Sequence, residues 1–159
     1  MQPNNFYDTL IINTPIGKMI AAADEHGIAS LDFMDETVDQ TSSENPLLIR
    51  LEQELNEYFE KKRQTFTLPL SPHGTVFQKG VWETLRTIPY GETVSYATEA
   101  KRFGNPKAVR AVASANARNP IAILIPCHRV IATGGGIGGY SGGIWRKEFL
   151  LDLEKINQA

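Results

Sequence analysis

The chain has one cysteine, Cys127, in the stretch "IPCHRVI" (125–131), after an apolar run and directly before His128 and Arg129. A lone cysteine is ordinarily a small buried apolar residue. These neighbours point to a nucleophile instead. The thiolate is the reactive form of cysteine, so a base must be near enough to take its proton. His128 is adjacent in sequence, but neighbouring side chains diverge, which argues against a direct protease-type Cys–His dyad. Two arrangements stay open: a relay through a water, or His128 acting as base with help from a distant carboxylate. Downstream, "TGGGIGGYSGG" (133–143) holds seven glycines in eleven residues around Tyr140 and Ser141. Glycine permits close approach of backbone to ligand. The stretch therefore reads as a pocket rim whose amides and hydroxyls bind a planar group, although composition alone leaves a loose hairpin open.

The elements that must hold these residues are legible from periodicity and turn chemistry. "YDTLIINTPIGKMIAAADEHGIASLDFM" (7–34) has three apolar runs divided by "TPIG" and "DEHG", the pattern of a small antiparallel sheet. "DETVDQTSSENP" (35–46) reads as an acidic loop. The following segment places Leu47, Leu48, Leu51, Leu55, Tyr58 and Phe59 on one helical face. "LPLSPHG" (68–74) is the expected linker. It divides an N-terminal α/β domain, residues 1–72, from a mostly helical domain, residues 73–159. In the second domain Phe77, Val81, Trp82 and Leu85 share a helical face, "VSYATEAKRF" reads as a short helix stopped by Gly104, and Asn105–Pro106 as the start of the next. Two short helices joined through a glycine turn resemble a helix-turn-helix, so the expected class is α+β with a winged-helix-like second half. "IAILI" (121–125) is expected to be a buried strand that Pro126 ends, and the last helix to bury Phe149, Leu150, Leu153 and Ile156. Taken alone, Glu154 reads as solvated.

Charge is unevenly spread. Residues 1–77 carry 5 Lys/Arg against 12 Asp/Glu, and residues 78–159 carry 11 against 6. The basic half suits a polyanionic partner. The third helix of that half is thin, built on Ala108, Ala111, Ala113, Ser114, Ala115 and Ala117 with Arg110 and Arg118 projecting. A slim helix lets backbone approach a narrow groove with Arg110 as the probe, and Lys101, Arg102 and Lys107 flank the turn as phosphate contacts would. A close-packed helix with solvated arginines is the plainer alternative. One cysteine and three histidines exclude a disulfide and argue against a structural metal. No signal peptide or membrane-length apolar run is evident, so a reduced cytoplasmic setting is expected.

Together, "IPCHRV" preceded by "NP", "SY" and "NPKAVRAV" upstream, and "GYSGG" with "KEFLLDLE" downstream resemble the O6-alkylguanine-DNA alkyltransferases from about Gly74 to Glu154. The resemblance implies direct-reversal repair of O6-methylguanine, with O4-methylthymine as a further candidate. The alkyl group would pass irreversibly to Cys127 after the nucleotide is flipped out of duplex DNA, approached from the minor-groove side. It implies that His128 takes the thiol proton through a water while Glu154 polarises His128, that Asn119 is a hinge, and that Tyr96 crowds the target phosphate and bonds the guanine. Arg110 would fill the stack, with Ser95, Lys101, Arg102, Lys107 and Ala108 completing the DNA surface. Tyr96, Val130, Tyr140 and Ser141 would line the base pocket. No cofactor or metal is implied, and the expected state is a monomer, with cooperation along DNA left open. Two features depart from the family's pattern: "ATEAKRFG" is more polar than the usual branched aliphatics before the glycine, and the zinc-binding cysteines of some relatives are missing. The rivals are a non-catalytic damage sensor or helix-turn-helix regulator, and a thiol hydrolase or peroxide sensor.

Overall fold

The computed structural model describes residues 7–35 and 42–157 and divides into two compact units, one ending at His73 and the other starting at Gly74. In the first, strands β1 (Asp8–Thr14), β2 (Gly17–Ala23) and β3 (Ile28–Met34) form an antiparallel sheet in sequence order. Its connections follow from their residues. Thr14 Oγ1 accepts from Ile16 N and donates to Gly17 O, closing the first hairpin. Asp24 Oδ1 accepts from the His26 and Gly27 amides and closes the second. Of the acidic loop expected over 35–46, residues 36–41 lie outside the described residues.

Helix α1 (Pro46–Phe59) starts where Asn45 Oδ1 caps Leu47 N at 2.9 Å and Pro46 occupies a position that needs no donor. It packs on β1 and β2 through Leu48, Leu51, Leu55 and Tyr58, all fully buried, while Leu47 and Phe59 are only half-buried. The expected linker begins as structure: Leu70 bridges Ile28 in parallel, with Ile28 N donating to Pro69 O and Ser71 N to Ile28 O.

The second unit contains α2 (Val76–Leu85), β4 (Val94–Ser95), α3 (Tyr96–Phe103), α4 (Val109–Ala117), a 3-10 turn (Cys127–Arg129), β5 (Val130–Ile131) and α5 (Ile144–Ile156). Thr75 and Gln78 form a reciprocal capping box on α2. Val81 of α2, Ala100 of α3, and Val112 and Ala115 of α4 make a common core, with Phe103, Ala108 and Val109 against it. Small residues are required there because the buried Trp82 lies across α4, donating from Nε1 to Ala115 O at 2.9 Å. Phe77 stays partly exposed and meets Phe103 edge-on.

Four expectations need correction. Val94 and Ser95 are a strand, pairing in parallel with Val130 and Ile131, and Ser95 then caps α3 by accepting from Thr98 N. Helix α4 begins at Val109 rather than Pro106. Asn105 turns the chain first, its side chain accepting from Lys107 N and its carbonyl from Ala108 N. "IAILI" is buried but is no strand: Leu124 N donates to Ala122 O and Ile125 N to Ile121 O, so the segment doubles back on itself. The apolar run reflects burial, which a turn shares with a strand. On α5, Leu150 and Leu153 are buried, but Phe149 and Ile156 are exposed, and Arg146, Lys147 and Glu154 are buried instead.

Gly104 ends α3 at φ 103°, letting its amide reach Ala100 O and Lys101 O before the chain turns into α4. A side chain there is strained by backbone conformation alone, since no atom lies within 4 Å of the position a Cβ would take. Gly104→Ala is expected to lower the unfolding free energy by about 1 kcal/mol, read as a lower urea midpoint with an unchanged m value. Gly104→Asn is expected to lose less.

Candidate active site

Asn119 follows α4 and builds the turn that carries the cysteine. Its Oδ1 accepts from Ile121 N at 3.0 Å, and its Nδ2 donates to Ile125 O at 2.7 Å and to Cys127 Sγ at 3.3 Å. One side chain thus closes the turn at both ends and touches the nucleophile. Inside the turn Ile123 adopts φ 72°, a strained conformation for a β-branched residue. It is held there because residues 121–130 are all buried.

Cys127 is 9% exposed. Burial pushes its thiol up to about 11, against the Asn119 hydrogen bond and the charge of Lys147, which both favour the thiolate. The resting group is therefore a thiol, and reaction requires removal of a proton. His128, fully buried, holds Nε2 2.7 Å from Glu154 Oε2. Glu154 also accepts from Arg129 Nε at 2.8 Å and Nη2 at 3.0 Å, and from Gly91 N at 3.3 Å. Burial works against ionisation, but the His128 and Arg129 hydrogen bonds and the charge of Arg129 hold its carboxyl well below the usual range. An ionised carboxylate only accepts, so Nε2 is the protonated nitrogen of His128 and Nδ1 carries the lone pair. Nδ1 is buried and, among the described residues, has no hydrogen-bond partner. Desolvation holds the ring's pKa below its usual value, so the imidazole is neutral and able to accept a proton. Among the described residues Cys127 Sγ hydrogen-bonds Asn119, not His128, in keeping with the argument against a direct dyad.

The thiol opens on a cavity of about 170 Å³. That is below the ~300–1,000 Å³ of pockets for drug-sized ligands and suits one flat ring system. Ala113, Asn116 and Ala117 of α4 make one wall, Tyr96 another, and Gly139, Tyr140 and Ser141 the rim. Lys147, fully buried, pins the rim to the cysteine segment, donating from Nζ to Val130 O at 2.5 Å and to Gly139 O at 3.0 Å. Its charge sits 6.0 Å from the Tyr96 ring centroid. Gly138, at φ 77°, passes where a Cβ would come within 3.1 Å of the Tyr96 hydroxyl and 3.2 Å of Lys147 Nζ. The Gly139 amide hydrogen-bonds the Tyr96 hydroxyl, yet burial still pushes that phenol up, so it keeps its proton.

The structure thus gathers Cys127, His128, Glu154, Asn119, Tyr96, Tyr140 and Ser141 in or behind one pocket. Val130 is buried behind the pocket, with its carbonyl taken by Lys147. Arg110 is exposed on α4, three residues before Ala113 and seven before Ala117, so it stands on the pocket's side of the helix. Lys101, Arg102 and Lys107 are exposed, Ala108 is half-buried in the α4 core, and Ser95 is committed as a cap. Four residues escaped the sequence reading: Arg129, Lys147, Glu99 and Asn116. For Lys147 a signal existed, since it shares an i, i+3, i+7 stripe with Leu150 and Glu154.

Comparison with known proteins places this geometry in context. Residues 6–72 match the family described as 6-O-methylguanine DNA methyltransferase, ribonuclease-like domain, and residues 76–156 its DNA binding domain. The methylated-DNA–protein-cysteine methyltransferase of Methanosarcina acetivorans is 46% identical, covering 91% of this chain and 96% of its own. The constitutive Bacillus subtilis protein of the same name is 47% identical over 96% and 97%. The crystal structure of Mycobacterium tuberculosis O6-methylguanine methyltransferase superposes with a TM-score of 0.85 at 40% identity, over 96% of this chain and 94% of that one. That organism's OGT in complex with DNA gives 0.83 at 42%, over 92% of each.

The buried cluster sets an acid limit on stability. His128 has a folded pKa below its unfolded value of 6.5, so stability falls as pH drops below 6.5 and the unfolded chain takes the proton the buried ring resists. Glu154, also depressed, contributes stability that is present above its unfolded value of 4.5 and lost as pH falls further. Glu154→Gln is expected to cost about 3 kcal/mol at pH 7 by leaving Arg129 buried without its counter-charge. It should also shrink the lower limb of the pH–stability curve, leaving the share of Asp24 and Glu54, whose carboxyls are likewise held low, while keeping the His128 limb, as read by urea denaturation from pH 3 to 8.

Proposed function

Because this chain belongs to the 6-O-methylguanine DNA methyltransferase family, we propose that it repairs O6-methylguanine in duplex DNA by moving the methyl group irreversibly onto Cys127. It is a methylated-DNA–protein-cysteine methyltransferase, and the protein holds a single cysteine, on the floor of its pocket. That one observation carries the assignment of the acceptor. A non-catalytic damage sensor would need neither a thiol facing the cavity nor a basic imidazole nitrogen behind it.

The roles follow from the geometry. His128 Nδ1 takes the thiol proton through a water, and Glu154 and Arg129 hold the ring in the tautomer that leaves Nδ1 basic. Sulfur attacks the methyl carbon in line with the O6–C bond, forming a thioether as that bond breaks. Negative charge passes to the guanine, where the Tyr96 hydroxyl, kept protonated by burial, donates to it; the guanine regains one proton for the one His128 took from the thiol, so base and pocket both end neutral. Asn119 and Lys147 keep the thiolate's cost within reach by donating to sulfur and lending positive charge. Nothing in this chemistry cleaves the thioether, so one molecule repairs one base.

The base must leave the stack to reach a buried thiol. Arg110 fills the gap from the minor groove, and Lys101, Arg102 and Lys107 contact phosphates, with Ser95 and Ala108 where helix and turn meet the backbone. Tyr140 and Ser141 line the base's edge, and Val130 bears on it from behind through the carbonyl that Lys147 holds. O4-methylthymine is a second substrate of the same chemistry. Among the described residues no helix is long and apolar enough to cross a membrane. A monomer in the reducing cytoplasm is the state in which a free thiol nucleophile persists.

Intact mass after mixing with a duplex holding one O6-methylguanine is expected to rise by one methylene, mapped to the Cys127 peptide and absent in Cys127→Ser. An unchanged mass with the lesion still present would overturn the acceptor assignment. Arg110→Ala is expected to slow repair about tenfold or more while weakening simple duplex binding only a few-fold, since one phosphate-independent contact is lost. Equal losses in both measurements would remove the finger role.

A further inference from the structure

The contact between α3 and α4 holds a carboxyl that the transfer chemistry does not use. Glu99 of α3 is fully buried, and its Oε1 accepts from Asn116 Nδ2 of α4 at 2.7 Å. Asn116, 7% exposed, belongs to the pocket wall beside Cys127. The other half of this pair does not match: Glu99 Oε2 and Asn116 Oδ1 are both buried, and among the described residues neither has a donor. An ionised carboxylate and an amide carbonyl are both acceptors, so the charged pair leaves two buried oxygens unsatisfied. One proton on Oε2 makes it a donor, and a carboxylic acid and a primary amide are complementary at two points.

The surroundings supply no counter-charge. The buried face of α2 is Val81, Trp82 and Leu85, and the Trp82 N–H is committed to Ala115 O. Strands β4 and β5 bring Val94, Ser95, Val130 and Ile131, none of which titrates. Lys101 and Arg102 on α3 and Arg110 and Arg118 on α4 are exposed, and among the described residues none forms an ion pair with Glu99. Lys147 is turned to the Val130 and Gly139 carbonyls and acts on Cys127. The titratable groups that Glu99 reaches are Tyr96 and Cys127, both acids.

We propose that Glu99 is a positioning residue that works as a neutral carboxylic acid, clipping the Asn116 amide to α3 at two points and keeping negative charge away from Cys127. Burial supports this by pushing the Glu99 carboxyl up to about 7, with the Asn116 bond opposing. Its effect on rate rests on the alkyl-transfer reading of the pocket; its protonation does not. When Glu99 ionises, the clip loses one of its two bonds and a buried charge appears that raises the thiol pKa further. The pocket is therefore set for reaction while Glu99 holds its proton. Rising pH removes that advantage and works against the ordinary gain in thiolate.

The test has two readouts on the full chain. In DNA-free protein carrying ¹³C-labelled glutamate side chains, one carboxyl resonance, missing in Glu99→Gln and displaced in Asn116→Ala, is expected to be protonated at pH 6 and to titrate near neutrality. Single-turnover transfer from a duplex with one O6-methylguanine is then followed from pH 6 to 9. Glu99→Gln keeps an N–H donor facing Asn116 Oδ1 and no charge, so its rate is expected to converge with the wild-type rate at pH 6. At pH 8.5 it should lead by about tenfold, the change in thiolate fraction for one unit in the thiol's pKa. A Glu99 resonance already ionised at pH 6, or rate profiles that stay parallel, would overturn the proposal. Absence of transfer from both proteins at every pH would sink the alkyl-transfer reading, and the carboxyl titration would still decide whether Glu99 carries the proton.

Discussion

A sulfur that must meet a base inside a closed pocket has to be buried, and burial opposes the ionisation that makes it reactive. That conflict organises the second unit of this protein. Leaving Cys127 as a thiol until reaction costs nothing at rest, and a thiol is inert to the wrong partners. The counter-measures are each modest: one amide hydrogen from Asn119, the charge of Lys147, and a neutral imidazole with its basic nitrogen free. None produces a resting thiolate. Together they lower the cost of making one when a substrate is present.

The same constraint explains why so much charge is buried behind the pocket. His128, Arg129, Lys147 and Glu154 are all nearly inaccessible, and replacing such groups by apolar residues often stabilises a fold. Their retention here is tied to position. Glu154 fixes the tautomer of His128, Arg129 holds Glu154 ionised and ties it to Ile88 O, and Lys147 joins the glycine rim to β5. Helix α5 therefore acts as the back plate of the active site. Its buried stripe is half charged because those charges have partners on the cysteine segment.

The helical half of the pocket is governed by size. Trp82 occupies the space beneath α4, which leaves room only for Ala and Val on that face of the helix. The other side of the same helix offers Ala113 and Ala117 to the cavity and Arg110 to solvent. A thin α4 is thus required from both directions, by the core beneath it and by the cavity on its other side.

What the sequence determined by itself was whatever depends on neighbours a few residues apart. Periodicity and turn chemistry gave the three-stranded sheet, the face of α1, the Gly104 stop and the glycine rim, because the forces involved act along the chain. The single cysteine and its motifs pointed to the acceptor proposed above. Tertiary structure alone decided what depends on distant partners. "IAILI" is apolar because it is buried, and only Asn119, bonding both of its ends, makes it a turn. Taken alone, Glu154 looked like a solvated residue, and only contact with His128 and Arg129, 26 and 25 residues away in sequence, makes it a buried anion. Lys147 and Glu99 drew no reading from the sequence for the same reason. A charged side chain does not specify its burial; the groups that compensate it do, and those are assembled only when the chain has folded.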